Sequence, residues 1–244
     1  MAKLLFITQK VHKDDSVLGV YHRWIEELAK KVGRIKVICL YRGRIELPDN
    51  VEVFSLGKED GQSRIKYVYR FYKYIWGLRH NYETVFVHMN PIYIVLGGLF
   101  WRLRGNKIFL WYNHPLGNIT ARIGIALANK IFCTSPYSFS AKYKKTSLMP
   151  VGIDTDFFRP MPEIEKNNRR ILYLGRISPI KKIEYLIEAA KILNSQCLDF
   201  KILIVGSPGS LEDREYESRL KKISADLISK NKVEFEPAVP NHKT

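Results

Sequence analysis

Residues Ile35 to Tyr41 read Ile-Lys-Val-Ile-Cys-Leu-Tyr, an apolar run broken only by Lys36. A strand with one wet face alternates apolar and polar residues. A nearly continuous run is buried on both faces, as happens when helices cover a parallel sheet on either side. The rest of the first half repeats this arrangement. Leu4–Thr8, Val51–Leu56, Thr84–His88, Lys107–Tyr112, Ile131–Thr134 and Ser147–Met149 have strand length. Between them lie segments with helical spacing: Val20, Trp24, Ile25, Leu28 and Val32, then Arg64–Arg79, Pro91–Leu103 and Ile119–Ala128, with a shorter helix over Tyr137–Tyr143. Strands alternating with helices predict βαβ units and a doubly wound parallel α/β sheet.

The 244 residues suffice for one large domain or two modest ones, and 46% hydrophobic with 26% charged residues is a globular composition. A formal charge of +16 points to anionic partners. Nucleotides and anionic lipid head groups fit; nucleic acid is not expected, because no recognition-helix, RNP or zinc pattern is present. Cys39, Cys133 and Cys197 lie far apart, each in or beside an apolar run, and read as buried free thiols in a reducing compartment rather than a disulfide or metal framework. Met1–Ile7 is too short in its apolar part for a signal peptide and reads as a first strand. The longest apolar stretch, Ile92–Trp101, ends at Arg102, about half of the ~20 residues a spanning helix needs. A soluble, cytoplasmic chain that touches a membrane surface is expected.

Pro150 to Arg169 changes character, with Pro150, Gly152, Pro160 and Pro162 and little periodicity, and reads as an interdomain linker. Residues 1–149 then form a first Rossmann-like domain and 170–244 the start of a second. In that second part Ile171–Leu174 is a strand ended by Gly175, Pro179 suits the turn entering a helix, and Ile183, Leu186, Ile187, Ala190 and Leu193 recur at helical spacing. Arg176 and Lys181 flank that helix start, where unpaired N–H groups and the peptide dipoles already favour an anion. The segment reads equally as a phosphate or diphosphate site and as a basic, solvated βα loop. Phe200–Val205, a turn at Gly206–Gly209, a helix over Glu212–Ile228 and a strand at Lys232–Phe235 follow. These 75 residues (170–244) are fewer than the ~100–150 a doubly wound domain uses, so an incomplete second domain is expected.

Three segments carry a family resemblance. Pro150-Val151-Gly152-Ile153-Asp154-Thr155-Asp156-Phe157-Phe158-Arg159-Pro160 is similar to the linker motif "NGVDTxxFxP" of the retaining, nucleotide-sugar-dependent glycosyltransferases of family 4. Leu174-Gly175-Arg176-Ile177-Ser178-Pro179-Ile180-Lys181 resembles their "GRLxxxKG", and Ile202-Leu203-Ile204-Val205-Gly206 their "LxIVGxG". The order and spacing match. The resemblance implies a GT-B fold of two Rossmann-like domains, the second incomplete here. It assigns Arg176 and Lys181 to the donor diphosphate, with Gly175 and Gly206 in the same site. It makes His114, in Asn113-His114-Pro115, a residue facing donor sugar and acceptor, and places Gly19 in the loop near the donor phosphate. Lys182 stands where the family has glycine, which leaves the roles of Lys181 and Lys182 exchangeable. The family's glutamate pair would lie beyond Thr244; Glu184 and Glu188 are expected on the outer face of their helix and do not replace it. The chain by itself is therefore expected to transfer sugar poorly or not at all.

The resemblance further implies a nucleotide-diphosphate-sugar as donor substrate, no metal, no other cofactor, and a saccharide or lipid-linked acceptor in cell-surface polysaccharide or glycolipid synthesis. The alternative is a non-catalytic protein that binds a nucleotide or a partner. His88, at the end of a strand, is a further candidate, because ligands gather at strand C-termini in such sheets. Asp14 and Asp15 read as solvated loop charges or as acceptor contacts. Arg64, Lys66, Arg70, Lys73 and Arg79 interleave with tyrosines and a tryptophan. This helix either packs its aromatics on the sheet or meets an anionic membrane surface.

Overall fold

A computed structural model describes residues 2–15, 17–156, 158–163 and 165–239. Ser16 of the first loop, Phe157 of the linker motif and Pro240–Thr244 lie outside the described residues. The chain divides into two compact units, Met1–Asp154 and Thr155–Thr244.

The first unit runs β1 (Lys3–Val11), α1 (Gly19–Ala29), β2 (Arg34–Arg42), β3 (Val51–Ser55), α2 (Arg64–Gly77), β4 (Thr84–His88), α3 (Ile92–Leu103), β5 (Lys107–Trp111), α4 (Ile119–Leu127), β6 (Lys130–Cys133) and β7 (Thr146–Leu148). The strands form one seven-stranded sheet in the order β3-β2-β1-β4-β5-β6-β7. Every pairing is parallel. Alternate residues of β1 serve different layers. Leu5 and Ile7 join Phe71, Ile75, Ile94, Trp101 and Ile125 of α2, α3 and α4, whereas Leu4 and Phe6 join Ile25 and Ala29 of α1. This is the two-sided burial that the apolar run of β2 requires. Trp101 anchors the larger layer: it is fully buried and its indole N–H donates to the Tyr82 hydroxyl at 3.1 Å.

The second unit runs β8 (Arg170–Leu174), α5 (Ile183–Ser195), β9 (Lys201–Val205), α6 (Leu211–Ile223), α7 (Ala225–Ser229) and β10 (Val233–Glu236). Its strands form a parallel three-stranded sheet in the order β10-β9-β8, which leaves β8 at an edge with Ile171, Leu172 and Leu174 exposed. Ile183, Ile187, Ile202, Ile204, Tyr216 and Leu220 make its core. The architecture is the expected GT-B type of α/β fold.

Four local expectations need correction. The helix expected over Glu212–Ile228 is two helices that break at Ser224, whose hydroxyl donates to the Leu220 carbonyl at 2.8 Å and competes with the ladder there. Residues Tyr137–Tyr143 hold only a 3-10 turn, Phe139–Lys142. Cys39 and Cys133 are buried thiols, but Cys197 is exposed, in a left-handed turn after α5. Gly19 does not lie in a loop: it is the first residue of α1 and is buried, its N–H donating to the Asp15 carbonyl at 3.0 Å.

Candidate functional site

In the second unit, Gly175 and Gly206 end the neighbouring strands β8 and β9, so the pair sits at the C-terminal edge of the sheet, where ligands bind in folds of this kind. The two backbones press together there. A Cβ built on Gly206 would stand 1.9 Å from the Gly175 carbonyl oxygen. The Gly175 N–H donates to the Val205 carbonyl at 3.0 Å and the Gly206 N–H to that of Glu236 at 2.9 Å, which fixes the contact from both sides.

Arg176 leaves this crest exposed to solvent and leans on the next loop. A Cβ on Gly209 would meet its Cδ at 3.3 Å and Asp213 Oδ2 at 3.4 Å. Gly209 donates its N–H to Asp213 Oδ2 at 3.1 Å, and Ser210 caps α6 by accepting the Asp213 N–H at 3.1 Å. Burial works to raise the Asp213 carboxyl; the Ser178 hydroxyl, the Gly209 N–H, Ser210 and the Arg176 charge outweigh it and hold the group below the usual carboxylate range. Arg176 therefore leans on the start of α6, besides preceding α5 in sequence.

The start of α5 is organised differently. Pro179–Lys181 form a 3-10 turn on which Lys181 is exposed. Lys182 follows at φ 53°, ψ 42°, a left-handed conformation in which a side chain costs roughly 1–2 kcal/mol. That conformation accounts for a glycine in the family motif at this position. The Lys182 ammonium lies 3.9 Å from Glu184. Glu184 is not simply on the outer face: it accepts a hydrogen bond from the Tyr216 hydroxyl, which in turn accepts the Ile183 N–H at 2.8 Å. Tyr216 of α6 thus takes a free N–H of α5 and ties the middle of α6 to the start of α5. In the sequence Tyr216 is one position of the helix expected over Glu212–Ile228, with nothing to mark this role.

The sequence profile described as "Glycosyl transferases group 1" matches residues 154–244. The match covers the second unit and its linker, and the chain spans under a third of the length of the curated relative it matches. An alignment 117 positions long is 26% identical to a D-inositol 3-phosphate glycosyltransferase from Frankia alni and covers 43% of this chain and 28% of that protein. Among solved structures, TarM superposes with a TM-score of 0.68 at 8% identity over 99% of this chain and 78% of its own. WaaG, described as a glycosyltransferase involved in lipopolysaccharide biosynthesis, superposes at 0.63 and 13% identity over 96% of this chain and 70% of its own. At these identities the structures bear on the fold alone.

Of the remaining candidates, His114 lies in the first unit. It is exposed in the loop after β5, with Nδ1 2.9 Å from the Leu116 carbonyl oxygen and accepting the Leu116 N–H at 3.1 Å. Its Nε2 is the nitrogen not used by these local contacts. Gly19 starts α1 at the same C-terminal edge of the seven-stranded sheet. Asp15 ties down this turn: it pairs with Lys10 and accepts the Leu18 N–H at 2.6 Å.

His88 is not a ligand at a strand end in the sense expected, for it is 2% exposed. Its ring packs 4.0 Å from that of Tyr21 and 5.9 Å from that of Trp24, with Thr8 Oγ1 3.3 Å from Nδ1. Nε2 is buried without a hydrogen-bond partner. Burial pushes the imidazole down to about 4 from its ordinary 6.5. The unfolded chain therefore takes up a proton as pH falls from 6.5 towards 4, while the folded chain resists. Stability present above that window is lost within it, by about 3 kcal/mol from this residue. Urea unfolding read by tryptophan fluorescence at pH 7, 5 and 4 should show this loss shrink in His88→Phe. Parallel profiles for the two proteins would exclude it.

Proposed function

We propose that this chain carries the donor-diphosphate site of a retaining glycosyltransferase. The donor is a nucleotide-diphosphate-sugar and the acceptor a saccharide or lipid-linked glycan, in cell-surface polysaccharide or glycolipid synthesis at the cytoplasmic face of a membrane. The observation that carries this reading is Arg176 beside the Gly175–Gly206 crest and the Gly209–Ser210 start of α6. As the sugar departs, the diphosphate gains negative charge. An arginine placed beside the start of α6 stabilises that charge, with the helix dipole, in the way a metal ion otherwise would. Lys181 adds a mobile cation from the neighbouring turn. In the first unit, His114 is the candidate contact to the sugar, through Nε2.

Arg176 serves this role better than a lysine would, because its fork engages two phosphate oxygens at once. The glycines serve by what they lack: with no side chain on Gly206 or Gly209, the strand ends close on each other and Arg176 lies against the loop before α6. Isothermal calorimetry with uridine, guanosine and adenosine diphosphates, in the presence of a chelator, tests the reading. Binding of one diphosphate well above the matching monophosphate is expected. Equal binding of the two would overturn the assignment of the site, and binding without sugar transfer by a chain of the relatives' full length would favour the non-catalytic alternative.

A further inference from the structure

Helix α2 has two apolar faces. Phe71 and Ile75, with Tyr67, Tyr74 and Leu78, pack on the sheet. Ile65, Tyr69, Tyr72 and Trp76, at i, i+4, i+7 and i+11, fall on one stripe of the opposite side and are exposed, Ile65 by 83% and Trp76 by 60%. A surface helix normally spends only one face on apolar residues. Helix α3 extends the stripe: the Tyr72 hydroxyl donates to the Leu96 carbonyl at 3.0 Å, Trp76 packs 5.7 Å from the ring of Phe100, and Leu103 is 82% exposed. Tyr69, Tyr72, Trp76 and Phe100 line an almost wholly apolar trough of about 460 Å³.

Next to this trough, and sharing Tyr69 and Lys73 with it, a cleft of about 570 Å³ opens between β3 and α2. Four cations line it, Arg42, Lys66, Arg70 and Lys73, against two acids, Glu59 and Asp60. Arg70 is 3.8 Å from Asp60, and Glu59 accepts the Arg42 N–H at 3.2 Å, so a surplus of positive charge remains. Arg79 and Arg104 flank the other end, over the rings of Trp76 and Phe100. An aromatic and aliphatic stripe fringed by cations is complementary to an interface with apolar chains below and negative head groups above. A second copy of the chain fits badly: face-to-face contact would oppose these cations to themselves in a protein of net charge +16.

We propose that the α2–α3 face of the first unit docks on an anionic phospholipid bilayer, with Ile65, Tyr69, Tyr72, Trp76 and Leu103 at acyl depth and the cationic cleft on the head groups. This deepens the acceptor side of the function proposed above and in its purpose rests on it; the docking itself needs no donor. Trp76 supplies the reporter. It is the one broadly exposed indole of four, since Trp101 and Trp111 are buried and Trp24 is half-buried.

The test is co-sedimentation and tryptophan emission of the 244-residue chain with vesicles of phosphatidylglycerol and phosphatidylcholine, compared with phosphatidylcholine alone. Binding to the anionic vesicles with a blue shift, lost in 0.5 M salt, is expected. Lys66→Gln with Lys73→Gln should weaken binding roughly twenty-five-fold, from about fivefold per charge. Trp76→Ser should weaken it roughly tenfold or more and abolish the shift. Ile65→Ser with Leu103→Ser, both at side chains more than four-fifths exposed, should weaken it too, so the test survives if Trp76→Ser disturbs packing. Equal binding to neutral vesicles, no binding at low salt, or wild-type binding by the paired variants would overturn the proposal. So would self-association that these same variants abolish. None of these outcomes depends on nucleotide binding, so failure here and failure of the donor site are separately visible.

Discussion

Gly206→Ala is expected to unfold the edge of the C-terminal unit on which the donor site is built. The added methyl would lie 1.9 Å from the Gly175 carbonyl oxygen and 3.1 Å from its carbonyl carbon, and no real side chain tolerates such a contact. Neither backbone yields cheaply, because the Gly175 and Gly206 N–H groups are both committed to neighbouring strands. Overpacking of a side chain costs about 1–3 kcal/mol; here the obstacle is backbone, and about 3 kcal/mol or more is expected. Against a total of roughly 5–15 kcal/mol for a domain, that is a large share. Hydrogen exchange of the β9 amides should accelerate by two orders of magnitude or more, from about 1.4 kcal/mol per tenfold. Gly152→Ala, with nothing within 4 Å of the new methyl, should leave exchange unchanged. Full protection of β9 in Gly206→Ala would show that the two strands are not in the contact described.

Arg176→Ala should leave the fold intact, since the side chain is exposed, and remove most of the diphosphate affinity. Hydrogen bonds between charged partners contribute about 1.5–3 kcal/mol, so a loss of about ten- to a hundredfold in binding is expected. Transfer should suffer more, by about 10²–10³, because the charge to be stabilised grows as the sugar leaves. Arg176→Lys should recover little, as an ammonium cannot engage two oxygens with fixed geometry. Calorimetry with the diphosphate that binds the native chain decides it, with Lys222→Ala at the far end of α6 as the control. Unchanged affinity in Arg176→Ala would move the site elsewhere.

The two sheets were readable because their evidence is local. Ile35–Tyr41 and Ile171–Leu174 announce strands by composition, and Gly175 marks its own strand end. What escaped was decided between distant residues. Arg176 was placed near α5 because α5 follows it in sequence, yet Gly209 and Asp213, more than thirty positions on, draw it to α6. The strain at Lys182 is a matter of φ, which no residue type declares when lysine stands in glycine's place. The break at Ser224 depends on one hydroxyl turning back on its own helix. Helical spacing showed that α2 was rich in aromatics but not that two opposite faces share them, since burial of one face depends on which strand lies beneath it.

The edge strand β8 carries a last consequence, for the behaviour of the protein in solution. Its outer backbone groups lie along a row with Ile171, Leu172 and Leu174 exposed beside them, a surface onto which another extended chain adds readily. A net charge of +16 keeps such edges apart at long range. Salt removes that protection as the screening length shrinks from about 10 Å at 0.1 M towards 3 Å at 1 M. The same cations that suit the 244-residue chain to anionic partners therefore also oppose pairing along β8, and its light scattering is expected to rise with salt.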